Sequence, residues 1–170
     1  MPLAQAFVAL DKGSHDLKSF DCGKPSMNEF LLRHATKHGK LGLSRTYVLA
    51  ERQKTGKAPI AAYYTLAASS VSRVKIPARQ SLPAYPVPVV ILTRLAVDRR
   101  YQGAGLGAKT LVHALRQAAG LSKAGLPAYG LILDVLDHQA LAFYQHFAPF
   151  EPFTDDPMRL FVSMKTLEQI

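Results

Sequence analysis

Residues 89–107 read VVILTRLAVDRRYQGAGLG. The first part of this stretch is rich in valine, isoleucine and leucine, which favours a strand buried in the centre of a sheet. The last part, GAGLG, alternates glycine with alanine and leucine. A strand followed by a glycine loop and a helix is suited to hold phosphate, because bare glycines and the positive helix N-terminus let backbone N–H groups face the anion. The stretch therefore predicts an α/β fold with an anion site after its strongest strand.

The alternation of helices and strands continues downstream. Apolar residues recur at helical spacing over residues 105–119, and Gly120 is interpreted as the stop of that helix. A strand at residues 131–135, a helix at residues 138–147 and a strand at residues 159–164 are predicted next. Asp137 directly precedes the second helix and is predicted to cap it.

Upstream, the pattern predicts an antiparallel start to the sheet. Residues 7–10 are interpreted as a first strand, and residues 46–50 and 60–66 as a hairpin. The sequence SMNE at residues 26–29 has the spacing of a capping box, which predicts that a helix begins at Ser26. Residues 71–87 contain three prolines and are interpreted as a surface excursion.

Composition places the chain in one broad class. Its 170 residues are 48% hydrophobic, which predicts a single domain over residues 1–170. No apolar run is long enough for a transmembrane helix, and residues 1–10 do not resemble a secretory leader. The lone Cys22 excludes an internal disulfide. These features predict a cytoplasmic location and no association with a membrane.

The charge balance points to an anionic partner. Twenty-one Lys and Arg against twelve Asp and Glu give a formal charge of +9. A nucleic acid is the leading candidate for that partner. The alternative is that the excess charge keeps the protein soluble or serves the phosphates of a nucleotide cofactor.

A dinucleotide site is a rival interpretation of the glycine loop. Residues 103–108, GAGLGA, also satisfy the loose pattern G-x-G-x-x-G/A. A dinucleotide loop normally occupies the first strand-to-helix turn and is followed about 20 residues later by an acidic ribose ligand. Here residues 122–125 read SKAG at that distance, which disfavours this interpretation.

The loop resembles that of the GNAT acetyltransferase superfamily, whose pattern R/Q-x-x-G-x-G/A is met by Arg100, Gly103 and Gly105. More specifically, the chain resembles the GNAT toxins of bacterial toxin–antitoxin pairs. The resemblance lies in FDCG (20–23), YPVPV (85–89), RLAVD (94–98), QGAGLG (102–107) and AFY (142–144). These segments span most of the chain, in the order found in that family.

The resemblance implies a bent mixed β-sheet, flanked by helices, in which a splayed central strand pair admits the pantetheine arm of acetyl-CoA. It implies that backbone groups of Leu95, Ala96 and Val97 pair with this arm. The residues implied around the pyrophosphate are Arg100, Gln102, Gly103, Ala104, Gly105, Leu106 and Gly107. Acetyl-CoA is the expected co-substrate, and no metal is expected.

The resemblance also implies an activity. The acetyl acceptor in the toxin group is the α-amino group of an aminoacyl-tRNA, and acetylation arrests translation. A ribbon-helix-helix antitoxin and a homodimer are expected on the same basis. Two alternatives stay open: acetylation of a small-molecule amine or protein N-terminus, and a nucleic-acid-binding module without catalysis.

Tyr144 aligns with the tyrosine that this family uses as general acid toward the departing thiolate. The alternative is a packed core tyrosine, since Phe143 and Phe147 lie beside it on the predicted helix. No convincing general base is found, because Arg94 occupies the strand where many members of the superfamily place a carboxylate. An α-amine, with a pKa of about 7.7–8.0, needs less help from a base than a lysine with a pKa of about 10.4.

Basic residues supply candidates for RNA contact. The resemblance places this contact at Arg33, Lys37, Lys40 and Arg45. A second candidate group is Arg73, Lys75 and Arg79. Such cations could follow phosphates without reading sequence, although each is also typical of an ordinary solvated surface.

Overall fold

The strand identified first, together with two residues before it, is the long strand β5 of a mixed sheet. The computed structural model describes residues 2–78 and 80–170, so Arg79 lies outside the described residues. The strands are β1 (Val8–Ala9), β2 (His15–Asp16), β3 (Arg45–Ala50), β4 (Ala58–Val71), β5 (Val87–Val97), β6 (Gly130–Asp134), β7 (Glu151–Pro152) and β8 (Arg159–Ser163). Over the described residues, the sheet order is β1-β3-β4-β5-β6-β8-β7, and β2 pairs with β4.

The polarity of the sheet confirms the mixed α/β class. Strands β3 and β4 form the predicted antiparallel hairpin, with Arg45 opposite Leu66 and Ala50 opposite Ile60. Strands β5 and β6 are parallel, from Val89 opposite Gly130 to Leu92 opposite Leu133. Strand β8 returns antiparallel to β6. The bend and the splay of the sheet stay predictions.

Helices account for the other predicted elements. They are α1 (Pro25–Glu29), α2 (Ala35–Leu41), α3 (Leu106–Ala124), α4 (His138–Phe147) and α5 (Met164–Leu167). A π-helical turn, Phe30–His34, joins α1 to α2, and a 3-10 turn, Arg99–Tyr101, precedes the glycine loop. Helix α4 has the predicted bounds, and the Asp137 carboxylate accepts the Ala140 N–H at 2.7 Å as its cap. None of the helices in the described ranges is long and apolar enough to cross a membrane.

The predicted capping box at Ser26 is wrong. Helix α1 begins one residue earlier, at Pro25, and Lys24 at the N-cap makes no side-chain cap. Proline suits the first helical position because its φ is already helical and that position needs no N–H. Ser26 therefore lies inside the helix.

The predicted stop at Gly120 is also wrong. Helix α3 continues through Gly120 to Ala124. A single glycine costs a helix only about 1 kcal/mol relative to alanine, which the packing of a long helix outweighs. Buried Leu111, Leu115 and Ala118 anchor this helix.

The surface excursion predicted for residues 71–87 contains buried residues. Val71, Ile76 and Val87 belong to a cluster with Val89, Ile132, Phe153 and Phe161. Strand β4 also runs five residues past the predicted Leu66. Alanine and serine at residues 67–70 have low β propensity, so sequence pattern alone does not mark this extension.

Contacts divide the chain into two compact units. One contains residues up to Ala67 with Arg94–His113, and the other contains Ala68–Thr93 with Ala114–Ile170. In the first unit, neighbouring residues of one strand enter different clusters: Val48 packs with Phe30 and Leu31, and Leu49 packs with Leu106. Successive strand residues point to opposite faces, so both faces of this part of the sheet are covered.

Candidate active site

The glycine loop adopts a conformation that its glycines make possible. Gly103 has a φ of 85° and Gly105 a φ of 83°, both in the left-handed region that side chains disfavour. A Cβ atom at either position would meet nothing within 4 Å. The backbone conformation therefore requires glycine at these two positions. The space around them is open to a ligand.

The loop ends at the N-terminus of helix α3, which is 19 residues long. The first N–H groups of a helix have no acceptor within it, and its N-terminus carries partial positive charge. No acidic side chain lies in the first turn of α3. The exposed Lys109, three residues after the first residue of α3, is a cation that the sequence motif does not identify. This end of α3 is suited to a phosphate group.

Asp98, between β5 and the 3-10 turn, is a buried carboxylate with three N–H donors. Oδ2 accepts the Asp21 N–H at 3.0 Å, and Oδ1 accepts the Arg100 backbone N–H at 2.9 Å and Nε at 3.0 Å. Burial pushes the pKa of this carboxyl upward, but the donors and the Arg100 charge together hold it below its ordinary value. Asp98 is thus an ionised anchor at the base of the glycine loop.

Arg100 directs its guanidinium toward two buried carboxylates. Besides the bond from Nε to Asp98, Nη1 lies 3.2 Å from Oε2 of Glu51, a residue that is 5% exposed. These contacts hold the 3-10 turn against Glu51, the residue that follows strand β3. The pyrophosphate contact predicted for Arg100 stays a prediction, and the contacts seen assign it a bracing role.

Gln102 folds its side chain back onto the backbone. Nε2 donates to the Val97 carbonyl at 2.7 Å and to the Cys22 carbonyl at 3.0 Å. One side chain therefore ties the end of β5 to a segment 80 residues earlier in the sequence. The side-chain amide of Gln102 is therefore engaged, its backbone N–H donates to the Arg99 carbonyl at 3.4 Å, and its predicted pyrophosphate contact stays a prediction.

The segment FDCG (20–23) docks against the base of the loop. The Arg99 N–H donates to the Asp21 carbonyl at 2.9 Å, and Arg99 Nη1 lies 3.8 Å from Oδ2 of Asp21. Asn28 Nδ2 donates to Asp21 Oδ1 at 2.9 Å. Gly23 has a φ of 90°, and a Cβ there would lie 3.1 Å from Nε of Arg99. Two segments of the family resemblance thus form one bonded structure, which no local pattern reveals.

The three residues predicted along pantetheine lie at the end of β5. Ala96 is buried in the cluster of Phe30 and Tyr63, while Leu95 and Val97 are half-buried. All three follow Leu92, the last β5 residue in the register with β6. The Val97 carbonyl accepts Gln102, so one of its two lone pairs is used.

Arg94 lies on β5, the strand where the family resemblance leads us to expect a carboxylate base. Its Cζ lies 3.9 Å from the centre of the Phe30 ring, a cation–π contact that holds the guanidinium on the α1–α2 side of the first unit. Nearby, the Tyr63 hydroxyl donates to the Met27 carbonyl at 2.8 Å. Burial raises the pKa of Tyr63, so this phenol keeps its proton.

Tyr144 lies on α4 in the second unit and is half-buried. Its ring makes edge contacts with Phe143, at 5.3 Å between centroids, and with Phe150, at 6.2 Å. Burial raises the pKa of Tyr144 to about 12. The helix ends at Phe147, and its C-cap, Ala148, has extended backbone, which is the conformation expected of a residue before proline.

The basic candidates differ in their surroundings. Arg33 lies 4.0 Å from Glu29 of the same helical segment, and Lys37 is exposed. Lys40 and Arg45 line one cavity of 290 Å³. In the second candidate group, Arg73 donates to the Leu82 carbonyl at 2.7 Å and Lys75 lies 3.7 Å from Asp155.

Metal and thiol chemistry find little support. Within residues 2–78 and 80–170, no group of three His, Cys, Asp or Glu side chains is placed to hold a metal ion. The His34 ring lies tilted against Phe30, and the His38 ring contacts Phe30 edge-on. Burial raises the pKa of the Cys22 thiol, which disfavours the reactive thiolate.

A second cavity, of 730 Å³, lies within the second unit. Its walls include Tyr129, Phe161 and residues of α5. Among the described residues, its lining contains none of the predicted site residues.

Comparison with known proteins gives consistent matches. A sequence model of the acetyltransferase (GNAT) family matches residues 44–148. A tRNA-acetylating toxin of Mycobacterium tuberculosis is 37% identical over 155 residues, which are 88% of this chain and 87% of that protein.

Solved structures of GNAT toxins share the fold. The toxin AtaT complexed with acetyl-methionyl-tRNAfMet superposes with a TM-score of 0.86 at 30% identity, covering 98% of each chain. A tyrosine-to-phenylalanine variant of AtaT, bound to the C-terminus of the antitoxin AtaR and acetyl-CoA, superposes with a TM-score of 0.80 at 29% identity. That alignment covers 99% of this chain and 98% of the toxin.

Proposed function

Because the chain belongs to the acetyltransferase (GNAT) family, we propose that it transfers the acetyl group of acetyl-CoA to the α-amino group of an aminoacyl-tRNA. The observation that carries the proposal is the left-handed glycine loop at the N-terminus of α3, an open cradle for the cofactor's pyrophosphate. The choice of acceptor rests on the near-full-length likeness to a tRNA-acetylating toxin.

The cofactor is held by backbone groups in this proposal. The N–H groups of Gly103, Ala104, Gly105, Leu106 and Gly107 face the pyrophosphate, and backbone groups of Leu95, Ala96 and Val97 pair with the pantetheine arm. Asp98, Arg100 and Gln102 support the loop from behind, as their bonds to Asp21, Glu51 and Cys22 indicate. A loop fixed before binding loses little freedom on binding, which favours affinity.

The reaction forms a C–N bond and breaks a C–S bond. The neutral amine attacks the thioester carbonyl carbon, and collapse of the tetrahedral intermediate releases the CoA sulfur. The amine loses a proton and the sulfur gains one. Tyr144 is proposed as the donor of the second proton, because a phenol is protonated at neutral pH and burial raises the pKa of this one further, to about 12. Burial also raises the pKa of a thiol, which narrows the pKa difference between the Tyr144 phenol and the departing CoA sulfur.

The proton on the attacking amine needs no strong base in this proposal. Arg94 on β5 cannot accept a proton, since its guanidinium stays charged. An α-amine with a pKa of about 7.7–8.0 is substantially neutral near pH 7–8, whereas a lysine is not. The site therefore favours an aminoacyl group over a protein lysine.

Labelled acetyl-CoA tests the proposal directly. Purified protein is incubated with individually charged tRNAs, and label is followed into N-acetyl amino acid after mild alkaline release from the RNA. We expect transfer to at least one charged tRNA, and none to deacylated tRNA or to N-formylated aminoacyl-tRNA, which lacks a free amine. Failure with every charged tRNA rejects the acceptor. Turnover of small amines alone would favour the small-molecule alternative, and RNA binding without acetyl-CoA binding would favour a non-catalytic module.

An antitoxin partner and a homodimer belong to the same proposal. AtaT is seen bound to the C-terminus of its antitoxin. For this chain we propose a small ribbon-helix-helix antitoxin and a homodimeric toxin. A short reading frame next to the gene of this chain should encode a protein that copurifies with the chain. Its co-expression should restore the growth of cells that produce the chain. Light scattering of the catalytically impaired protein measures the oligomeric state.

A further inference from the structure

The first cation after the glycine loop is Lys109, in the first turn of α3. It is exposed, and the residues before it, 101–108, read YQGAGLGA and carry no charge. The Lys109 N–H donates to the Gly105 carbonyl at 3.2 Å. Residues four apart in a helical turn lie on the same face, so the Lys109 side chain lies on the Gly105 side of the helix. The space around Gly105 is open, and the lysine borders it.

Lys109 is not neutralised by the protein. In the part of the chain that the structure describes, no ion pair is seen for this lysine. The two arginines before the loop differ in this respect. Arg99 lies 3.8 Å from a carboxylate oxygen of Asp21. Arg100 lies 3.0 Å from a carboxylate oxygen of Asp98. Of the cations that flank the loop, Lys109 therefore keeps its charge available to a ligand.

The geometry of a helix directs this side chain toward the loop. Every Cα–Cβ bond in a helix is tilted toward the helix N-terminus. A side chain therefore covers surface over the turn that precedes its own Cα atom. The Cα atom of Lys109 lies about 4.5 Å along the axis from that of Leu106, the first residue of α3. The flexible lysine stem can thus carry the ammonium group back to the helix N-terminus.

The phosphates of acetyl-CoA place different demands on a site. The pyrophosphate faces backbone N–H groups and a helix N-terminus equivalent to roughly +0.5 charge in the proposed function. The 3′-phosphate, on the ribose next to the pyrophosphate, is a monoester like that of a phosphorylated side chain, with a charge of about −1.5 to −2 near pH 7. Backbone dipoles carry no full charge, so the 3′-phosphate is better matched by an ammonium group.

We propose that Lys109 binds the 3′-phosphate of CoA and makes the protein prefer CoA to dephospho-CoA, which lacks that group. This rests on the proposed function, because the lysine borders the cofactor only if the glycine loop holds the pyrophosphate. An ammonium group is a compact charge with rotatable donors, so it binds a phosphate without demanding one fixed geometry. Lys109 is then a residue of cofactor specificity and takes no part in the chemical step.

The test compares the wild type with Lys109→Gln and with Lys123→Gln, which removes the same charge in the last turn of the same helix. Calorimetry measures the dissociation constants of CoA and dephospho-CoA. The wild type should bind CoA roughly three- to tenfold more tightly than dephospho-CoA. Lys109→Gln should bind the two compounds about equally, with wild-type affinity for dephospho-CoA. Lys123→Gln should keep the wild-type preference.

Two further measurements separate a direct contact from a general loss of charge or of structure. Lys109→Arg keeps a cation and should retain the preference for CoA. With acetyl-CoA and acetyl-dephospho-CoA as donors, Lys109→Gln should raise the KM for acetyl-CoA alone. Its kcat should stay as in the wild type, because the pantetheine arm separates the 3′-phosphate from the thioester. A merely structural lysine would not distinguish the two donors.

Three outcomes would overturn the inference. In the first, the wild type does not distinguish CoA from dephospho-CoA. In the second, Lys109→Gln weakens the binding of both compounds equally, which would assign Lys109 to the pyrophosphate. In the third, Lys123→Gln loses the preference as fully as Lys109→Gln does, which would assign the effect to net charge.

The same measurements distinguish this inference from the proposed function. A wild type that prefers CoA in a Lys109-dependent way but acetylates no charged tRNA would refute the proposed acceptor and leave the role of Lys109 standing. A wild type that binds neither CoA nor dephospho-CoA would refute the cofactor site at the glycine loop, and the role of Lys109 with it.

Discussion

Tyr144 combines an apolar surrounding with a proton that it holds firmly. Phe143 and Phe150 contact its ring, and burial raises its pKa to about 12. A packed tyrosine and a general acid can thus be the same residue. The aromatic contacts orient the ring, and the phenol is in the protonated form near neutral pH.

Tyr144→Phe separates these two roles because it keeps the ring. If the hydroxyl donates a proton to the leaving thiolate, kcat should fall by about 10²- to 10⁴-fold. The melting temperature and the KM for acetyl-CoA should change little. Steady-state kinetics with charged tRNA measure the effect, and Tyr129→Phe, whose hydroxyl bonds Gln80 in the same unit, is the matched control. Wild-type turnover in Tyr144→Phe would refute the assignment.

Asp98 acts through other residues, so its substitution should affect stability and cofactor affinity together. In Asp98→Asn, the new amide group faces N–H donors from Asp21 or Arg100, whichever way it is turned. We expect a loss of about 2 kcal/mol in the free energy of unfolding and a higher KM for acetyl-CoA. Urea denaturation and kinetics measure these, with the exposed Asp155→Asn as control.

The effect of Asp98 should also depend on pH in a defined direction. Its pKa is lowered in the folded protein, so its contribution is present above the unfolded value of about 3.9 and is lost as the pH falls through the folded value. The stability difference between wild type and Asp98→Asn should therefore be full near pH 7 and shrink in strong acid. A difference that is constant down to pH 2 would show that the charge of Asp98 is irrelevant.

At the scale of elements, a substitution by alanine should have opposite effects at Gly105, just before α3, and at Gly120, inside α3. Gly105 has a φ of 83°, which costs an alanine about 1 kcal/mol, and Gly120 lies inside α3 with open space around it. Gly105→Ala should lower the melting temperature and raise the KM for acetyl-CoA. Gly120→Ala should stabilise the protein by about 0.5–1 kcal/mol without altering kinetics. If both variants behave alike, the left-handed loop is not what binding requires.

Sequence patterns predicted the elements whose residues agree with their tertiary environment. Strand β5, helix α4 and the β3–β4 hairpin are dense, periodic segments, and their identity does not depend on distant contacts. Ser26 and Gly120 misled the local analysis because proline supplies an alternative helix start and packing overrides one glycine. The alanines and serines at the end of β4 form a strand through pairing that their own propensity does not favour.

In the candidate site, the glycine loop is a local feature, so its position between β5 and α3 could be predicted from residue spacing alone. Its role in holding phosphate stays a prediction. The bonds from Asp98 to Asp21 and from Gln102 to Cys22 join residues 77 and 80 positions apart, and no periodicity connects them. The one signal was the joint presence of FDCG and RLAVD in the family resemblance, which indicated their order but not their contact.

For the whole molecule, a formal charge of +9 predicts how the reaction responds to salt. RNA binding releases condensed counterions, so each phosphate contact adds to the slope of affinity against salt. With about three phosphate contacts, a fourfold increase in salt should raise the KM for charged tRNA roughly 20- to 40-fold. Acetyl-CoA lacks a condensed ion atmosphere and is held largely by backbone groups, so its KM should change far less. Initial rates between about 50 and 200 mM salt, with each substrate varied in turn, measure both. A KM for charged tRNA that ignores salt, or two KM values that rise in parallel, would show that the basic charge does not serve RNA binding.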